Sequence, residues 1–391
     1  MSPEKTQFPT FNSSFNCVMK QCIYADNAAT TKLSLSAFEA MKPFLLEEYG
    51  NPSQPYSFSR ATKKALKKAR DTIAKCIGAF PEEIFFTSGG TESDNWVIKS
   101  IGLFNRNPGA ILTSAIEHHA ILRSCNAIEE LGYPVAYMWP TEFGEITPSI
   151  LNKYITDTTK LVSVMYVNNE IGTIQNIKKL CEISHAHGAL FHTDAVQAVG
   201  HLQMDVHDLG VDFLSASAHK FNGPRGIGFL YVRKGVSLAP FMHGGKQEYG
   251  MRAGTENVAQ IVGMATALKD NCERIAENKR HIKRIEEVIL QTMDSSGISY
   301  KRNGTHQIPG LLSLSFPNQD GEAILHRLDL HKICISTGSA CDSVRTEISH
   351  VLKAIQLDNS FAKGTIRISF GVDNTEEDAK IIAAELIQIV K

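Results

Sequence analysis

The sequence predicts an α/β protein with a large domain on a mostly parallel sheet, followed by a smaller α+β domain. Short apolar segments typical of buried strands alternate with amphipathic helical segments through the first half of the chain. Polar clusters follow several of these segments, at the sheet edge where such folds bind ligands. A long, charged helical pattern over residues 255–293 then leads into a region of shorter elements. We expect an N-terminal tail over residues 1–22, a large domain over 23–275 and a small domain over 276–391.

The individual elements follow from apolar periodicity and from glycine- and proline-rich breaks. In the large domain we expect strands within 23–31, at 84–87, 111–113, 161–167 and 190–192, and two within 211–232; helices are expected at 36–46, 60–78, after 87, and at 117–131 and 177–187. In the small domain we expect strands at 311–316, 333–335 and 365–370, and helices at 322–330, at 348–355 and from 375. The strand near residue 23 is expected to lie near the small domain and complete it.

The composition is that of an ordinary soluble globular protein. Of 391 residues, 43% are hydrophobic and 21% charged, and the formal net charge is -1, which gives no reason to expect a nucleic-acid partner. No apolar run is long enough to span a membrane, and the first twenty residues lack the apolar centre of a secretory signal. The eight cysteines are scattered, which favours free thiols in a reducing, cytoplasmic setting.

One helix carries a run of basic residues that invites a nucleic-acid interpretation. Lys63, Lys64, Lys67, Lys68 and Arg70 are expected mainly on the side opposite the apolar stripe of the 60–78 helix. Because no aromatic side chains are interleaved with these charges, a solvated helix face is the favoured interpretation.

Lys220 is the centre of the functional prediction. It lies in a turn between two apolar segments, directly after Ser217, Ala218 and His219. A lysine in such surroundings can act as an amine and form a Schiff base with a carbonyl compound such as pyridoxal phosphate. The alternative is a surface lysine that extends from the end of a strand.

Two polar segments after other strands could bind the parts of such a cofactor. Residues 87–95 follow a strand and open a helix, so the amides and hydroxyls near Gly90 and Thr91 could bind a phosphate, although an N-capping turn is an alternative. Asp194 could keep a pyridine nitrogen protonated and Gln197 could reach the ring oxygen, although Asp194 could instead cap the next helix.

Three further polar segments complete the candidate site. His118 could cover a ring face and transfer protons; it could also join His119 in a metal site, but no third ligand falls at ligand spacing, so we expect no intrinsic metal. Asn168 and Asn169 could contact a ring oxygen or a substrate carboxylate. Residues 252–257 form a polar, glycine-containing loop before the long helix.

Cys341 is the candidate nucleophile among the cysteines. It lies in a loop of small and polar residues, whereas Cys76, Cys125 and Cys181 fall inside helical patterns. A passive loop cysteine is the alternative.

Nine segments in order resemble the cysteine desulfurases of the NifS/IscS type, which are pyridoxal-phosphate enzymes of fold type I in the class V aminotransferase superfamily. The resemblance covers the chain from about Tyr24 onward. The segments are Ala25-Asp26-Asn27-Ala28-Ala29-Thr30-Thr31, Ser88-Gly89-Gly90-Thr91-Glu92-Ser93, Glu117-His118, Asn168-Asn169-Glu170, Asp194 with Gln197, Ser217-Ala218-His219-Lys220, Arg252-Ala253-Gly254-Thr255, Gly338-Ser339-Ala340-Cys341 and Ile366-Arg367-Ile368-Ser369.

The resemblance implies a seven-stranded sheet, a homodimer, L-cysteine as substrate, and a persulfide on Cys341 that passes to a sulfur-acceptor protein for iron-sulfur cluster assembly or for thiolation of tRNA. It implies that Lys220 binds the cofactor, that Asn169 and Arg367 bind the substrate carboxylate, and that His118 stacks on the ring and moves protons. It implies phosphate contacts from Gly90, Thr91, Ser217, His219 and, across the dimer, Thr255; Asp194 and Gln197 would contact the ring. A selenocysteine lyase or related class V enzyme is the alternative.

The sequence departs from the IscS-like pattern at several places. Gly90 replaces the usual alanine, residues 344–348 differ from the usual loop sequence, and the tail before Ile23 is longer than in bacterial relatives. The chain also stops soon after its last helix, without the C-terminal extension that meets the iron-sulfur scaffold in IscS-like enzymes, so a tRNA-thiolation or other sulfur-carrier route stays open beside delivery to that scaffold.

Overall fold

The computed structural model describes residues 22–103, 109–338 and 348–391. The predicted tail up to residue 21 and the loop segment that contains Cys341 therefore lie outside the described residues.

The described residues form twelve strands and twelve α-helices. The strands are β1 Ile23–Tyr24, β2 Ile84–Thr87, β3 Ala110–Ser114, β4 Val135–Met138, β5 Thr159–Ser163, β6 Leu190–Asp194, β7 Phe213–Ser217, β8 Gly228–Val232, β9 Lys301–Arg302, β10 Leu311–Ser315, β11 Ile333–Cys334 and β12 Thr365–Ser369. The helices are α1 Leu35–Leu46, α2 Arg60–Ile77, α3 Gly90–Leu103, α4 His119–Glu129, α5 Pro148–Tyr154, α6 Ile177–Ala186, α7 Val206–Leu209, α8 Val258–Ser295, α9 Gly321–Leu330, α10 His350–Ala354, α11 Asn359–Ala362 and α12 Glu376–Val390.

Seven strands form the main sheet in the order β2-β8-β7-β6-β5-β3-β4. The five strands from β7 to β4 are parallel to one another, whereas β8 is antiparallel to both β7 and β2. The α/β class and the mostly parallel, seven-stranded sheet are thereby confirmed. Parallel strands place their carboxyl ends at one edge, so the segments that follow β5, β6 and β7 lie side by side.

Alternation along the strands explains why both faces of this sheet are covered. Successive side chains of a strand point to opposite faces. Phe213 accordingly packs in one apolar cluster with Trp96 and Ile121, while the next residue, Leu214, packs in another with Ile73. The sheet is therefore a middle layer between helices, and its rigid edge can hold polar side chains in fixed positions.

Helix α8 connects the two parts of the chain. It has 38 residues, which corresponds to about 57 Å at 1.5 Å per residue. Its first half packs in the core of the main sheet through Ile261 and Met264, and its second half packs through Ile285 and Ile289 in a separate core with β10 and β12. The division at residues 275 and 276 stays a prediction.

The C-terminal elements form a smaller unit in which β12, β10 and β9 make an antiparallel sheet. β1 joins this part of the molecule, as expected, because it pairs in parallel with β11. Its next residue, Ala25, belongs to the same apolar cluster as Leu312 and Ile366. None of the helices in the described ranges is both long enough and apolar enough to cross a membrane.

One expectation about the large domain is wrong in detail, and some of its short elements were missed. The strand expected at 161–167 is β5, which ends at Ser163; the backbone stays extended beside β6 because the amides of Val164 and Tyr166 donate to carbonyls of that strand. Asn168 and Asn169 therefore lie in a loop, beyond the end of the strand. The edge strand β4 and helix α5 were not predicted, since both are short.

Arg70 does not share the solvated face of α2 with Lys63, Lys64, Lys67 and Lys68. The four lysines are exposed, but Arg70 is buried and forms a two-pronged ion pair with Glu248, with N–O distances of 2.9 and 2.7 Å. The backbone amide of Phe86 donates to the same carboxylate, and the guanidinium lies 4.3 Å from the centre of the Phe86 ring. A buried pair of this kind fixes the 247–250 turn against α2 and β2.

We expect Arg70→Ala to lower the stability of the protein strongly. The substitution leaves the Glu248 carboxylate buried without its partner, which costs about 3–5 kcal/mol and lowers the Tm by roughly 5–10 °C. Thermal unfolding measures this, with Lys67→Ala on the exposed face of the same helix as the control. Equal Tm values for the two variants would contradict a stabilising role for the pair.

Candidate active site

A cavity of about 260 Å³ lies at the carboxyl edge of the main sheet and collects most of the predicted site residues. Its lining includes ten of them: Gly90, Thr91, His118, Asn169, Asp194, Gln197, Ser217, His219, Lys220 and Arg367. Thr255 is exposed and does not line this cavity, and Cys341 lies outside the described residues. Residues more than 270 positions apart thus meet in one place because the strand ends converge there.

Lys220 closes a single 3₁₀ turn, Ala218–Lys220, directly after β7. Its Nζ donates to the carbonyl oxygens of Ala28 and Ala29, 2.5 and 2.9 Å away. The turn itself is held from both sides, since the amide of Thr31 donates to His219 O and His201 Nε2 donates to Lys220 O. The amine is therefore directed into the cavity by the segment that follows β1.

Asp194 ends β6 and has only 5% of its surface exposed. One of its oxygens, Oδ1, accepts a hydrogen bond from the amide of Val196 at 3.0 Å. Burial raises the pKa of Asp194, while the nearby His118 and Lys220 oppose that change. A buried carboxylate with few hydrogen bonds is well suited to a cationic partner such as a protonated ring nitrogen.

Asp94 is a cavity residue that the sequence did not single out. It lies four residues after Gly90 on α3 and is buried, and its Oδ1 has no hydrogen-bond partner among the described residues. Burial, and then the carboxylate of Asp194, raise the pKa of Asp94 well above its usual range, which favours its protonated, neutral form. Only its fourth-residue spacing from Gly90 on the helix could have indicated that it faces the cavity.

A chain of buried, hydrogen-bonded polar groups lies on the strands next to Asp94 and Asp194. His192 Nδ1 lies 2.8 Å from Ser163 Oγ, and His192 Nε2 lies 3.0 Å from Ser215 Oγ. Burial lowers the pKa of His192 to about 3, so the ring is neutral and can link the two hydroxyls. These groups lie on the adjacent strands β5, β6 and β7, and they fix the layer beneath the cavity without adding charge.

His118 caps the N-terminus of α4. Its Nδ1 accepts a hydrogen bond from the amide of Ala120 at 3.1 Å, so the proton of the neutral ring is on Nε2. Burial lowers the pKa of His118, and the charge of Lys220 lowers it further. The carboxylate of Asp194 acts in the opposite direction and raises the pKa. His118 is therefore a neutral imidazole at pH 7 with its N–H available to a neighbour.

Titration of His118 is expected to have a midpoint below its ordinary value of about 6.5. Protonation costs the ring its acceptor bond at Nδ1 as well as its desolvation energy, so the neutral form persists to lower pH. NMR of protein with labelled histidines measures the midpoint, and the resonance is assigned by its absence in His118→Gln and its presence in His243→Gln. A midpoint at or above 6.5 would contradict this assignment of tautomer and environment.

Asp94, His118 and Asp194 also form the one group of three potential metal ligands within the described ranges. One ligand atom from each lies within 4.8 Å of the others. This group contains His118 but not His119, so it is not the histidine pair that was considered from the sequence. Two of the three groups are carboxyls, and Lys220 lines the same cavity. This combination also suits a protonated heterocycle.

The N-terminus of α3 forms a polar cup beside the cavity. Its lining includes Thr30, Ser88, Thr91, Ser217, His219 and Arg225 together with Gly89, Gly90, Glu92 and Gly226. Burial, and then the Lys220 and Arg225 charges, lower the pKa of His219 to about 4. Backbone amides, hydroxyls and one guanidinium at a helix N-terminus make a binding site for a phosphate group, and Arg225 is a contributor that the sequence did not indicate.

The glycine at position 90 has a structural reason. A Cβ atom placed there would lie 2.5 Å from Cγ2 of Val196, which itself lines the cavity. An alanine, as in the IscS-like pattern, would require Val196 to move. Gly90 and Val196 therefore match each other in this chain.

Arg367, on β12, brings the small unit to the cavity. Its side chain is 2% exposed. Nη1 donates to Asn169 O at 3.0 Å, and Nη2 donates to Asp26 Oδ1 at 2.8 Å. The third nitrogen, Nε, has no hydrogen-bond partner among the described residues. Asn168, in contrast, is a structural residue, since its Oδ1 accepts from the amides of Glu170 and Ile171. The cavity thus contains one guanidinium with an unused donor, suited to an anionic group.

A lysine amine, a buried carboxylate and the N-terminus of a helix lie together at the edge of the sheet, an arrangement suited to a small anionic ligand that the amine can reach. Comparison with known proteins identifies the class. A profile described as "Aminotransferase class-V" matches residues 23–382, and the chain belongs to this family.

The most similar curated proteins have one activity in their names. "Cysteine desulfurase IscS" of Dictyoglomus turgidum is 44% identical over 379 residues, which cover 95% of each chain. The protein of the same name from Methanosarcina thermophila is 42% identical and covers 95% of this chain and 92% of its own. The predicted resemblance to the NifS/IscS type is confirmed.

Solved structures agree with this. A "NIFS-LIKE PROTEIN" has a TM-score of 0.89 and 36% identity, covering 94% of this chain and 99% of its own. "SspA in complex with cysteine" has a TM-score of 0.81 and 34% identity, covering 89% and 99%.

Proposed function

We propose that the protein is a cysteine desulfurase, which uses pyridoxal 5'-phosphate to remove sulfur from L-cysteine. The products would be L-alanine and a persulfide on Cys341. The observation that carries the proposal is the convergence of the Lys220 amine, the Asp194 carboxylate and the α3 phosphate cup on one cavity. Relatives named cysteine desulfurase support it over nearly the whole chain.

The residues present fit the cofactor. The cup at Gly90, Thr91, Ser217 and His219 would hold the phosphate, and Asp194 would pair with the ring nitrogen. Gln197, whose Nε2 donates to Ala28 O, has its amide oxygen available for the ring hydroxyl group. His118 would cover the ring, and Lys220 would attach it covalently. When bound, the cofactor supplies an electron sink for the bond changes at the substrate.

Proton transfer would fall to Lys220 and His118, which both line the cavity. Lys220, once released from the cofactor, would move the proton at the substrate Cα, because its Nζ can exchange the Ala28 and Ala29 carbonyls for substrate atoms. His118 would present its Nε2–H to a substrate heteroatom. The raised pKa of Asp94 favours its neutral form, which would reduce the repulsion between the Asp94 and Asp194 carboxyls.

Substrate orientation would depend on Arg367 and Asn169. The unused Nε–H of Arg367 can bind a carboxylate, and the ion pair with Asp26 fixes the plane of the guanidinium. Because Arg367 Nη1 also donates to Asn169 O, the two residues would bind the same end of the substrate.

The described residues on either side of 339–347 support access of Cys341 to the cavity. Before the segment, Ser336 forms backbone hydrogen bonds in both directions with Arg367, at 3.0 and 2.6 Å. After it, Ser349 Oγ donates to Glu170 Oε2 and His350 Nε2 donates to Glu117 O, next to His118. Ser336 therefore contacts the lining residue Arg367, and Ser349 and His350 contact residues next in sequence to the lining residues Asn169 and His118.

We also propose a homodimer in which Thr255 completes the phosphate site of the partner subunit. Thr255 is exposed and absent from the cavity of its own chain. Large apolar side chains are exposed on α1 and the segment after it: Leu35 74%, Leu45 56%, Leu46 66%, Tyr49 71% and Phe58 45%. Such a surface is typical of an interface between subunits.

The persulfide would pass to a sulfur-acceptor protein of the iron-sulfur assembly or tRNA-thiolation type, in the cytoplasm. The activity itself is tested by incubating the protein with pyridoxal phosphate, L-cysteine and a thiol reductant. Equal amounts of L-alanine and sulfide are expected. Alanine from L-selenocysteine but none from L-cysteine would instead identify a selenocysteine lyase.

A further inference from the structure

Two cysteines far apart in sequence meet at the pairing of β1 with β11. The strands are parallel, with Ile23 opposite Ile333 and Tyr24 opposite Cys334. The Sγ atoms of Cys22 and Cys334 are 3.4 Å apart, although 312 positions separate them. Cys22 is exposed and Cys334 is partly exposed, so a small reagent can reach the pair.

The pair lies where two segments begin, one after β1 and one after β11, and both segments contact residues of the cavity. Beyond β1, Asp26 binds Arg367, and the carbonyls of Ala28 and Ala29 accept from Lys220. Beyond β11, Ser336 forms backbone hydrogen bonds with Arg367. A covalent bond between β1 and β11 would therefore hold together the starting points of the two segments that contact Arg367 and Lys220.

We propose that Cys22 and Cys334 are a modification site that forms a reversible disulfide when the protein meets a low-molecular-weight disulfide. An S–S bond is about 2.05 Å long, so the two sulfurs, 3.4 Å apart, would have to approach by little more than 1 Å. In the reaction each thiol loses one proton and one S–S bond forms. The two electrons reduce the reagent, a disulfide such as oxidised glutathione, to two thiols.

The surroundings of the pair slow disulfide formation at neutral pH. Burial, and then the neighbouring Cys22, raise the pKa of Cys334 to about 11, so its thiolate is scarce at pH 7. Cys22 is the more accessible thiol, and it would react first to give a mixed disulfide, which Cys334 then displaces. The rate of closure is expected to rise from pH 7 to pH 9 as the Cys334 thiolate becomes more abundant.

The other described cysteines are less suited to this reaction. Cys125 and Cys181 are buried, and burial raises the pKa of the Cys181 thiol to about 12. Cys76 and Cys272 lie close together, with Cys272 Sγ 3.9 Å from Cys76 O, but they are on the facing helices α2 and α8 and partly buried. They provide a matched control pair within the same chain.

Peptide mapping without reduction tests the proposal. Trypsin releases Cys22 in residues 21–32, whereas Cys334 shares residues 333–345 with Cys341, so the Cys341→Ser variant removes that ambiguity. The full-length protein is treated with oxidised glutathione, and remaining thiols are blocked with N-ethylmaleimide. A cross-link between the two peptides is expected in the wild type and in Cys341→Ser, lost on reduction, and absent from Cys22→Ser and Cys334→Ser. Cys76→Ser should retain it.

The oxidised protein should also have a Tm higher by about 5 °C than the reduced one, because the bond closes a loop of more than 300 residues. Separate glutathione or maleimide adducts on Cys22 and Cys334, with no cross-link, would overturn the proposal. A cross-link that forms only after denaturation, or one no more abundant than a Cys76–Cys272 cross-link, would also overturn it. None of these results depends on the proposed enzymatic activity.

Discussion

Lys220→Ala is expected to abolish covalent cofactor attachment and to lower the rate of alanine formation from L-cysteine by about 10³-fold or more. Lys220 is the amine that lines the cavity beside Asp194, and the proposed mechanism uses it twice, for attachment and for proton transfer. The absorption spectrum of the purified protein with pyridoxal phosphate measures the first role. Alanine formation measures the second.

Two further variants make this test specific. Lys32, whose side chain is 72% exposed near the same turn, is a matched control, and Lys32→Ala should leave both measurements unchanged. Lys220→Arg can still donate to the Ala28 and Ala29 carbonyls but cannot attach the cofactor, so it should be as inactive as the alanine variant. Activity retained in Lys220→Arg would mean that residue 220 only holds the turn in place.

Residues at strand ends could be predicted from the sequence because their environment is set locally. Lys220, Asp194 and Gly90 each stand within a few residues of an apolar segment whose strand character is clear, and parallel strands place such ends together. The structure brings these three residues to one cavity. The elements with long, regular periodicity, such as α2 and α8, were predicted to within a few residues for the same reason.

The residues that sequence analysis missed depend on contacts across the fold. Arg70 sits in a basic run, and only Glu248, 178 positions away, makes its burial favourable. Asp94 looks like an ordinary polar residue of α3 until Asp194 lies beside it. The antiparallel direction of β8 depends on the connection over residues 218–227, whose path apolar patterning does not describe.

Arg367 shows the same limitation from the side of the small unit. Its place on β12 was expected, and the resemblance assigned it to the substrate carboxylate. The ion pair with Asp26, 2.8 Å long, was not expected, because it joins residues 341 positions apart. The guanidinium that would bind substrate is thus held by the segment that also holds Lys220, which links the two halves of the site.

Cys341→Ser should abolish sulfide release from L-cysteine while leaving the cofactor spectrum unchanged, since Cys341 is not among the groups proposed to bind the cofactor. The serine hydroxyl is a poor nucleophile toward sulfur and cannot carry a persulfide. Alanine formation from L-cysteine is therefore expected to fall by about 10²-fold or more, in proportion to sulfide. Cys334→Ser, measured with a reductant present, is the matched control and should keep the wild-type rate.

Persulfide trapping and a second substrate show whether Cys341→Ser affects sulfur transfer alone or the cofactor chemistry as well. After one turnover without reductant, the wild-type peptide of residues 333–345 should gain the mass of one sulfur atom, and the same peptide from Cys341→Ser should not. Selenium leaves the substrate more readily than sulfur, so alanine formation from L-selenocysteine should survive in the variant. If Cys341→Ser turns over L-cysteine at the wild-type rate, the thiol takes no part and the Lys220 cavity would belong to a class V enzyme of another mechanism. If instead the variant loses its activity on L-cysteine, keeps the cofactor spectrum and still cleaves selenocysteine, cofactor chemistry and sulfur transfer are separate functions. The first then belongs to Lys220, at the end of β7, and the second to Cys341, which follows β11 in the sequence.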